Sequence, residues 1–162
     1  SDEYGGSFED RARALMEVIA AVQEVWPENL PLAVRLSATD WVEGGWSVDD
    51  SVRLAKKLKA AGVDLVDCSS GGMRPQDVSH YPVGPGYQVP LAEKVRQEAG
   101  ILTAAVGMIT DPAQADTIIR TGQADIVLLA RELLRSPYWP AHAARVLGHK
   151  DKAVLPVQYE RA

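Results

Sequence analysis

Short apolar segments alternate with amphipathic helical segments along the chain, and this alternation restricts the possible fold more than any other feature. Segments of strand composition lie at residues 32–37, 63–68, 101–106 and 125–129. A segment with apolar residues at helical spacing follows each of them, and one further helical segment precedes them all. Near-continuous apolar strands that alternate with helices are typical of a parallel sheet covered by helices. The sequence therefore predicts an α/β fold.

Local signals mark where several of these helices begin and where the chain leaves the pattern. Ser7 and Ser47 are each followed three residues later by an aspartate, which is the spacing of a helix N-cap and its acidic partner. Asp111-Pro112 combines an N-cap with a proline at the first helical position. Ser136-Pro137 is predicted to start the last helix, and residues 151–162 are predicted to form an extended tail.

Two apolar runs end in a way that suits an anion. The run at residues 101–106 is followed by Gly107 and Met108, and the run at residues 125–129 is followed by Ala130 and Arg131. Each run stops at a small residue and then opens a helix, so backbone N–H groups at both stops can point at one anion. In a (β/α)8 barrel the standard phosphate site lies in the loops after the seventh and eighth strands. The two runs are therefore predicted to be the last two strands of such a barrel.

The chain is accordingly predicted to be the C-terminal half of a (β/α)8 TIM barrel, with four parallel strands and outer helices. Residues 1–162 are expected to run from the fourth to the eighth helix of the barrel and to end in the tail 151–162. Four strands alone leave two unpaired edges and one uncovered face, so the N-terminal half is expected in a second chain or segment. A doubly wound open sheet is the alternative, although no Gly-x-Gly-x-x-Gly follows any predicted strand.

Composition excludes several classes of function. The chain has 22 acidic and 17 basic residues, for a net charge of −5, which argues against binding to nucleic acid or to an anionic membrane. One cysteine, Cys68, rules out an internal disulfide and is compatible with a reducing compartment. No signal peptide is recognisable, and no apolar run approaches the roughly 20 residues of a membrane helix. A cytoplasmic protein is therefore expected. The three histidines lack metal-ligand spacing, so no metal site is predicted.

Several motifs occur together in the order and spacing of one known family. They are Asp2–Arg13, Val34-Arg35-Leu36-Ser37, Ser69-Ser70-Gly71-Gly72, Pro85–Pro90, Ala105–Ile109, Ala130–Leu134, Pro137–Pro140 and the tail segment Pro156–Arg161. With these segments the chain resembles the C-terminal half of an Old Yellow Enzyme of the YqjM-like subclass, an FMN-dependent ene-reductase. The resemblance covers essentially all 162 residues.

This resemblance implies a barrel that binds FMN non-covalently and is reduced by NADPH. Hydride would then pass from flavin N5 to the β-carbon of an activated alkene, such as an enone or an enal. Arg35 matches the arginine that faces the pyrimidine end of the flavin, where a fixed guanidinium stabilises the charge of the reduced ring. An arginine paired with a barrel carboxylate is the alternative. Gly107, Met108, Ala130 and Arg131 match the phosphate loops, with Ala130 where the family commonly has glycine.

The resemblance also assigns residues at the sixth strand and in the tail. Ser70 and Gly71 would let the backbone approach the cofactor, with an ordinary turn as the alternative. Arg161, together with Tyr159, matches a tail that reaches across a dimer interface to the neighbouring flavin site, so a homo-oligomer is expected. A loose tail is the alternative. The family's substrate-clamping pair, proton-donating tyrosine and flavin-tuning cysteine belong to the N-terminal half, so no catalytic residue is expected here.

The function expected from these features is that of one segment of an NAD(P)H-dependent ene-reductase with a small alkene substrate. One alternative is a half barrel that keeps a phosphate or flavin-phosphate site but has no catalysis. The other is a structural fragment that self-associates through its exposed edges. A second polypeptide in the preparation and the absorbance of a bound flavin would distinguish the three.

Overall fold

The computed structural model describes residues 2–71, 81–149, 151 and 155–159, with the side chain of Tyr159 outside the description. The elements in chain order are α1 (Phe8–Gln23), β1 (Ala33–Ser37), α2 (Val48–Ala60), β2 (Leu65–Ser69), α3 (Val89–Ala99), β3 (Leu102–Val106), α4 (Pro112–Arg120), β4 (Ile126–Leu128), α5 (Arg131–Arg135), α6 (Trp139–Val146) and a 3-10 turn at Val157–Tyr159. The predicted alternation of strands and helices is confirmed.

The strands form one four-stranded parallel sheet in the order β1-β2-β3-β4. Sequence neighbours are therefore also neighbours in space, and every carboxyl end lies at the same edge of the sheet. Register partners in a parallel sheet point to the same face, so Arg35, Asp67 and Ala104 lie on one face of the three strands that carry them. The sheet thus brings chemically different side chains side by side on a single face.

The helices cover the opposite face of the sheet. Val66 of β2, Leu58 of α2 and Val95 of α3 are completely buried in the core between the sheet and these helices. On the face that carries Arg35, by contrast, Leu102 is 53% exposed and Ile126 is 45% exposed. Apolar strand residues are therefore covered on one side and open on the other, which is the condition of a barrel wall seen without the rest of the barrel.

Predicted helix starts match the observed caps. The Ser7 hydroxyl accepts from the backbone N–H of Asp10, and Ser47 forms a reciprocal capping box with Asp50. Asp111 accepts from the backbone N–H of Gln114, with proline at the first helical position. These starts depend on short side chains that bond to their own backbone, so the local sequence is sufficient to specify them.

Two predictions about the end of the chain are wrong. The last helix starts at Trp139 rather than at Ser136-Pro137, because the N–H of Ser136 donates to the carbonyl of Glu132 at 2.8 Å and closes α5. Pro140, instead of Pro137, takes the early helical position where a missing N–H costs nothing. The tail is not wholly extended either, since residues 157–159 form a 3-10 turn.

An ion pair at the amino end of β4 ties this short strand to its neighbours. Arg96 Nε lies 3.1 Å from each carboxylate oxygen of Asp125, and the backbone N–H of Thr103 donates to the same carboxylate at 2.9 Å. Burial disfavours the ionised form of Asp125, but these hydrogen bonds outweigh it and hold the pKa of the carboxyl below its usual value.

No helix among the described residues is long and apolar enough to cross a membrane.

Candidate functional site

A cleft of about 420 Å³ opens at the carboxyl ends of the strands. Its wall contains Arg35 from β1, Gly107 and Met108 after β3, and Ala130 and Arg131 at the start of α5. Residues that are up to 96 positions apart in the chain are thus brought together in one place. The structure places all of these predicted site residues around the same cleft.

The loop after β3 has a backbone conformation that ordinary residues seldom adopt. Gly107 has a φ of 132° and Met108 has a φ of 52°, and Met108 is 46% exposed. A non-glycine residue with positive φ is uncommon and is found preferentially at functional sites. At Gly107 a Cβ atom would lie 3.0 Å from Gln88 Nε2, so a larger residue there would have to displace its neighbours. The loop therefore requires glycine.

The side chain of Gln88 holds the strand end that leads into this loop. Gln88 was not identified as a site residue from the sequence. The residue is 3% exposed; its Nε2 donates to the Val106 carbonyl at 2.9 Å, and its Oε1 accepts from the Ser70 hydroxyl at 2.7 Å. The backbone N–H of Gly86 also donates to the Gly107 carbonyl at 2.8 Å. One buried amide thus connects the ends of β2 and β3. The motif Gly86-Tyr87-Gln88 just before a helix was the available signal.

The second wall of the cleft is the start of α5. Ala130 is its N-cap residue and has no side-chain hydrogen bond to the helix, so its side chain does not cap the first N–H groups. Arg131 makes no ion pair with any residue that the structure describes, and its side chain is exposed. Arg135, one turn later, is paired with Glu132 at 2.8 Å. Arg131 is therefore the cation at this wall that is available to an anion.

Arg35 both pairs with a carboxylate and lines the cleft. Its Nε donates to Asp67 Oδ2, so it forms the carboxylate pair that was the structural alternative. Its side chain nevertheless stays 60% exposed and forms part of the cleft wall, whereas the Asp67 side chain is 11% exposed. The pair therefore leaves most of the guanidinium open to the face of the sheet that the helices do not cover.

Ser70 and Gly71 are not among the residues that line the cleft. The Ser70 hydroxyl is bonded to Gln88, and the backbone N–H of Gly71 donates to the Thr39 carbonyl at 3.0 Å in a residue with a φ of 69°. These bonds describe a turn, and a contact with a cofactor stays a prediction. Arg161 lies outside the described residues, and for Tyr159 the structure describes the backbone alone.

Cys68 is completely buried on the helix-covered face of β2. Burial, assisted by the neighbouring charge of Asp67, raises the pKa of its thiol to about 12. This agrees with the interpretation of Cys68 as a small core residue. Among the described residues no group of His, Cys, Asp and Glu side chains could hold a metal ion.

Comparison with known proteins places this geometry in a family. The sequence profile of the NADH:flavin oxidoreductase / NADH oxidase family matches residues 1–149. The chain belongs to this family. The match confirms the resemblance to the Old Yellow Enzymes that the sequence motifs indicated.

Two curated relatives agree with the family assignment. The chain is 51% identical over 162 residues to an NADPH dehydrogenase of Halalkalibacterium halodurans, covering all of this chain and 46% of the relative. It is 55% identical over 160 residues to an NADPH dehydrogenase of a Geobacillus strain, covering 99% of this chain and 45% of the relative. The chain thus spans about half the length of the curated relatives it matches.

The fold comparison extends to a solved Old Yellow Enzyme homologue from Zymomonas mobilis. The TM-score is 0.64 at 22% identity, and the alignment covers 96% of this chain and 41% of that protein. At this identity the likeness concerns the fold alone. The predicted fold class, four parallel strands with outer helices from a TIM barrel, is confirmed, whereas the assignment to the fourth through eighth helices of the barrel stays a prediction.

Proposed function

We propose that this chain is the FMN-binding half of an NAD(P)H-dependent ene-reductase that reduces the C=C bond of activated alkenes. The observation that carries the proposal is the cleft at the carboxyl ends of the strands, where two anion-compatible loops and Arg35 lie together. Family membership and relatives named NADPH dehydrogenases support FMN and NADPH as the cofactor and the reductant.

One end of the cleft suits the phosphate of FMN. The Gly107-Met108 backbone is in the positive-φ region, and the start of α5 lacks a side-chain cap at Ala130. Backbone N–H groups that are not used by the protein can donate to phosphate oxygens, and Arg131 can add a charge-assisted contact. We therefore assign the phosphate to Gly107, Met108, Ala130 and Arg131.

The other end of the cleft suits the flavin ring. Arg35 projects from β1 on the open face of the sheet, at the carboxyl side where the loops lie. A fixed guanidinium near N1 and O2 stabilises the negative charge of the reduced ring more than it stabilises the neutral oxidised ring. Arg35 is therefore assigned to tuning the flavin as well as holding it.

The remaining parts of the reaction are assigned to other segments. When bound at this cleft and reduced by NADPH, FMN would supply hydride chemistry toward the β-carbon of the alkene. The groups that clamp the substrate and donate the proton are assigned to the N-terminal half of the barrel, which is also the partner that covers the open face of this sheet. A homo-oligomer, in which Arg161 and Tyr159 reach a neighbouring site, and a cytoplasmic location complete the proposal.

The test uses a completed barrel, meaning this chain joined to the N-terminal half of the Halalkalibacterium relative. We expect the purified protein to carry the visible absorption bands of FMN and to oxidise NADPH when 2-cyclohexenone is added. A protein that binds no flavin would contradict the whole proposal. A protein that binds FMN but leaves the alkene unreduced would favour a non-catalytic flavin-phosphate site.

A further inference from the structure

We propose that Asp67 is a positioning residue for the flavin site: it fixes the Arg35 guanidinium and partly offsets its charge, and so sets the reduction potential. The inference rests on the proposed function, because it takes the ligand at Arg35 to be FMN. Neither the predicted site nor the family motifs include Asp67. Its role follows from the geometry around Arg35.

The sheet places the two side chains next to each other by register. Arg35 of β1 and Asp67 of β2 are direct partners in the parallel pairing, so both side chains leave the sheet on the uncovered face. Asp67 is 8% exposed, whereas the Arg35 side chain is 60% exposed. The carboxylate is therefore the fixed member of the pair, and the guanidinium is the member that needs to be held in place.

The hydrogen bond uses the nitrogen that is least useful for reaching a ligand. Arg35 donates to Asp67 through Nε, at the side of the guanidinium. The two terminal nitrogens, which extend farthest from the strand, make no hydrogen bond to any residue that the structure describes. An arginine anchored at Nε keeps its terminal N–H groups for an acceptor across the cleft, and less rotational freedom is lost when it binds.

Asp67 also has an unused acceptor. Its Oδ1 is buried and has no hydrogen-bond partner among the described residues. A buried carboxylate oxygen without a donor is costly, so this arrangement needs a reason other than stability of the sheet. A carboxylate beside Arg35 reduces the net positive charge that a ligand at the cleft experiences.

The experiment measures the FMN reduction potential in the completed barrel and in variants of it. Asp67→Asn keeps an oxygen acceptor for Nε but removes the negative charge. The equilibrium ratio of reduced anionic flavin to oxidised flavin should therefore rise at least tenfold. For a two-electron couple this is an upward shift of about 30 mV. Asp64→Asn is the matched control. It makes the same change just before the amino end of β2, at the opposite end of the strand from the cleft, and should leave the potential unchanged.

Asp67→Ala tests positioning, since it removes both the charge and the acceptor. Compared with Asp67→Asn, it should lower the potential by about 30 mV, again a tenfold change in the equilibrium, because Arg35 is no longer held against the ring. The difference between the two variants should disappear when both are made in the Arg35→Met background. If the alanine variant does not fold, Asp67→Val, which has no polar side-chain atom and suits a strand, replaces it.

The outcomes separate this inference from the function on which it rests. If the completed wild-type barrel shows no FMN absorbance, the proposed function fails and this inference fails with it. If FMN binds but Asp67→Asn has the wild-type potential, the inference alone is overturned. It is also overturned if the alanine and asparagine variants differ equally with and without Arg35, because the effect would then not pass through the arginine.

Discussion

The side-chain amide of Gln88 donates to the carbonyl oxygen of Val106 with 2.9 Å between the two atoms, and this bond supports the positive-φ loop at Gly107 and Met108. Replacing the amide with an apolar group, Gln88→Leu, leaves the Val106 carbonyl and the Ser70 hydroxyl without this partner. An unsatisfied buried polar group costs about 1–3 kcal/mol. We expect FMN affinity of the completed barrel to fall at least tenfold, as measured by fluorescence titration.

Gln97→Leu provides the control for this prediction. Gln97 lies on α3, the helix that begins directly after Gln88; its side chain is exposed and donates to Glu93 at 3.2 Å on the helix surface. Its replacement should leave FMN affinity within about twofold of wild type, since surface substitutions cost little. Equal effects of the two variants would show that Gln88 has no special role in the phosphate loop.

The parts of this structure that follow from local sequence were predictable, and those that depend on register were not. The N-caps at Ser7 and Asp111 involve bonds over three residues, so a short motif specifies them. Arg35 and Asp67 are 32 residues apart in sequence, and their pairing depends on the register of β1 against β2. No local sequence pattern predicts that register. The start of the last helix at Trp139 likewise involves a long-range contact, since the indole N–H of Trp139 donates to the Thr110 carbonyl at 2.7 Å.

Cys68 should be inert in the folded protein. Its thiol is completely buried and its pKa is raised to about 12, so very little of the reactive thiolate is present at pH 8. We expect iodoacetamide to modify Cys68 slowly in buffer and completely in 8 M urea, as measured by the mass of the intact chain. Rapid modification without denaturant would contradict the placement of Cys68 in the core.

The tail should couple substrate binding to assembly. Changing Arg161→Met in the completed barrel should raise the KM for the alkene without releasing FMN. The family resemblance implies that this arginine reaches the flavin site of the neighbouring protomer. Deleting residues 156–162 should in addition weaken the dimer, as measured by sedimentation velocity. Glu160→Gln, next to the arginine, is the control. Unchanged kinetics and assembly in the truncated protein would make the tail dispensable.

The 162-residue chain by itself should not behave as a compact monomer. The sheet leaves β1 and β4 as edges in the part of the chain that the structure describes, and Leu102 and Ile126 are exposed on its open face. Unpaired edges and exposed apolar strands favour association. We expect sedimentation velocity to show self-association that the N-terminal half suppresses. A monomer that unfolds cooperatively in urea would contradict this expectation.

The assignment of the FMN phosphate to this cleft can be tested by comparing the binding of FMN with that of riboflavin. The two ligands share the ring and differ in the phosphate, so the ratio of their Kd values in the completed barrel isolates the phosphate contact. We predict that FMN binds at least a hundredfold more tightly than riboflavin. Arg131→Met should reduce this ratio at least tenfold while leaving the riboflavin Kd unchanged. Equal affinities for FMN and riboflavin in the wild-type barrel would show that the cleft does not bind the phosphate.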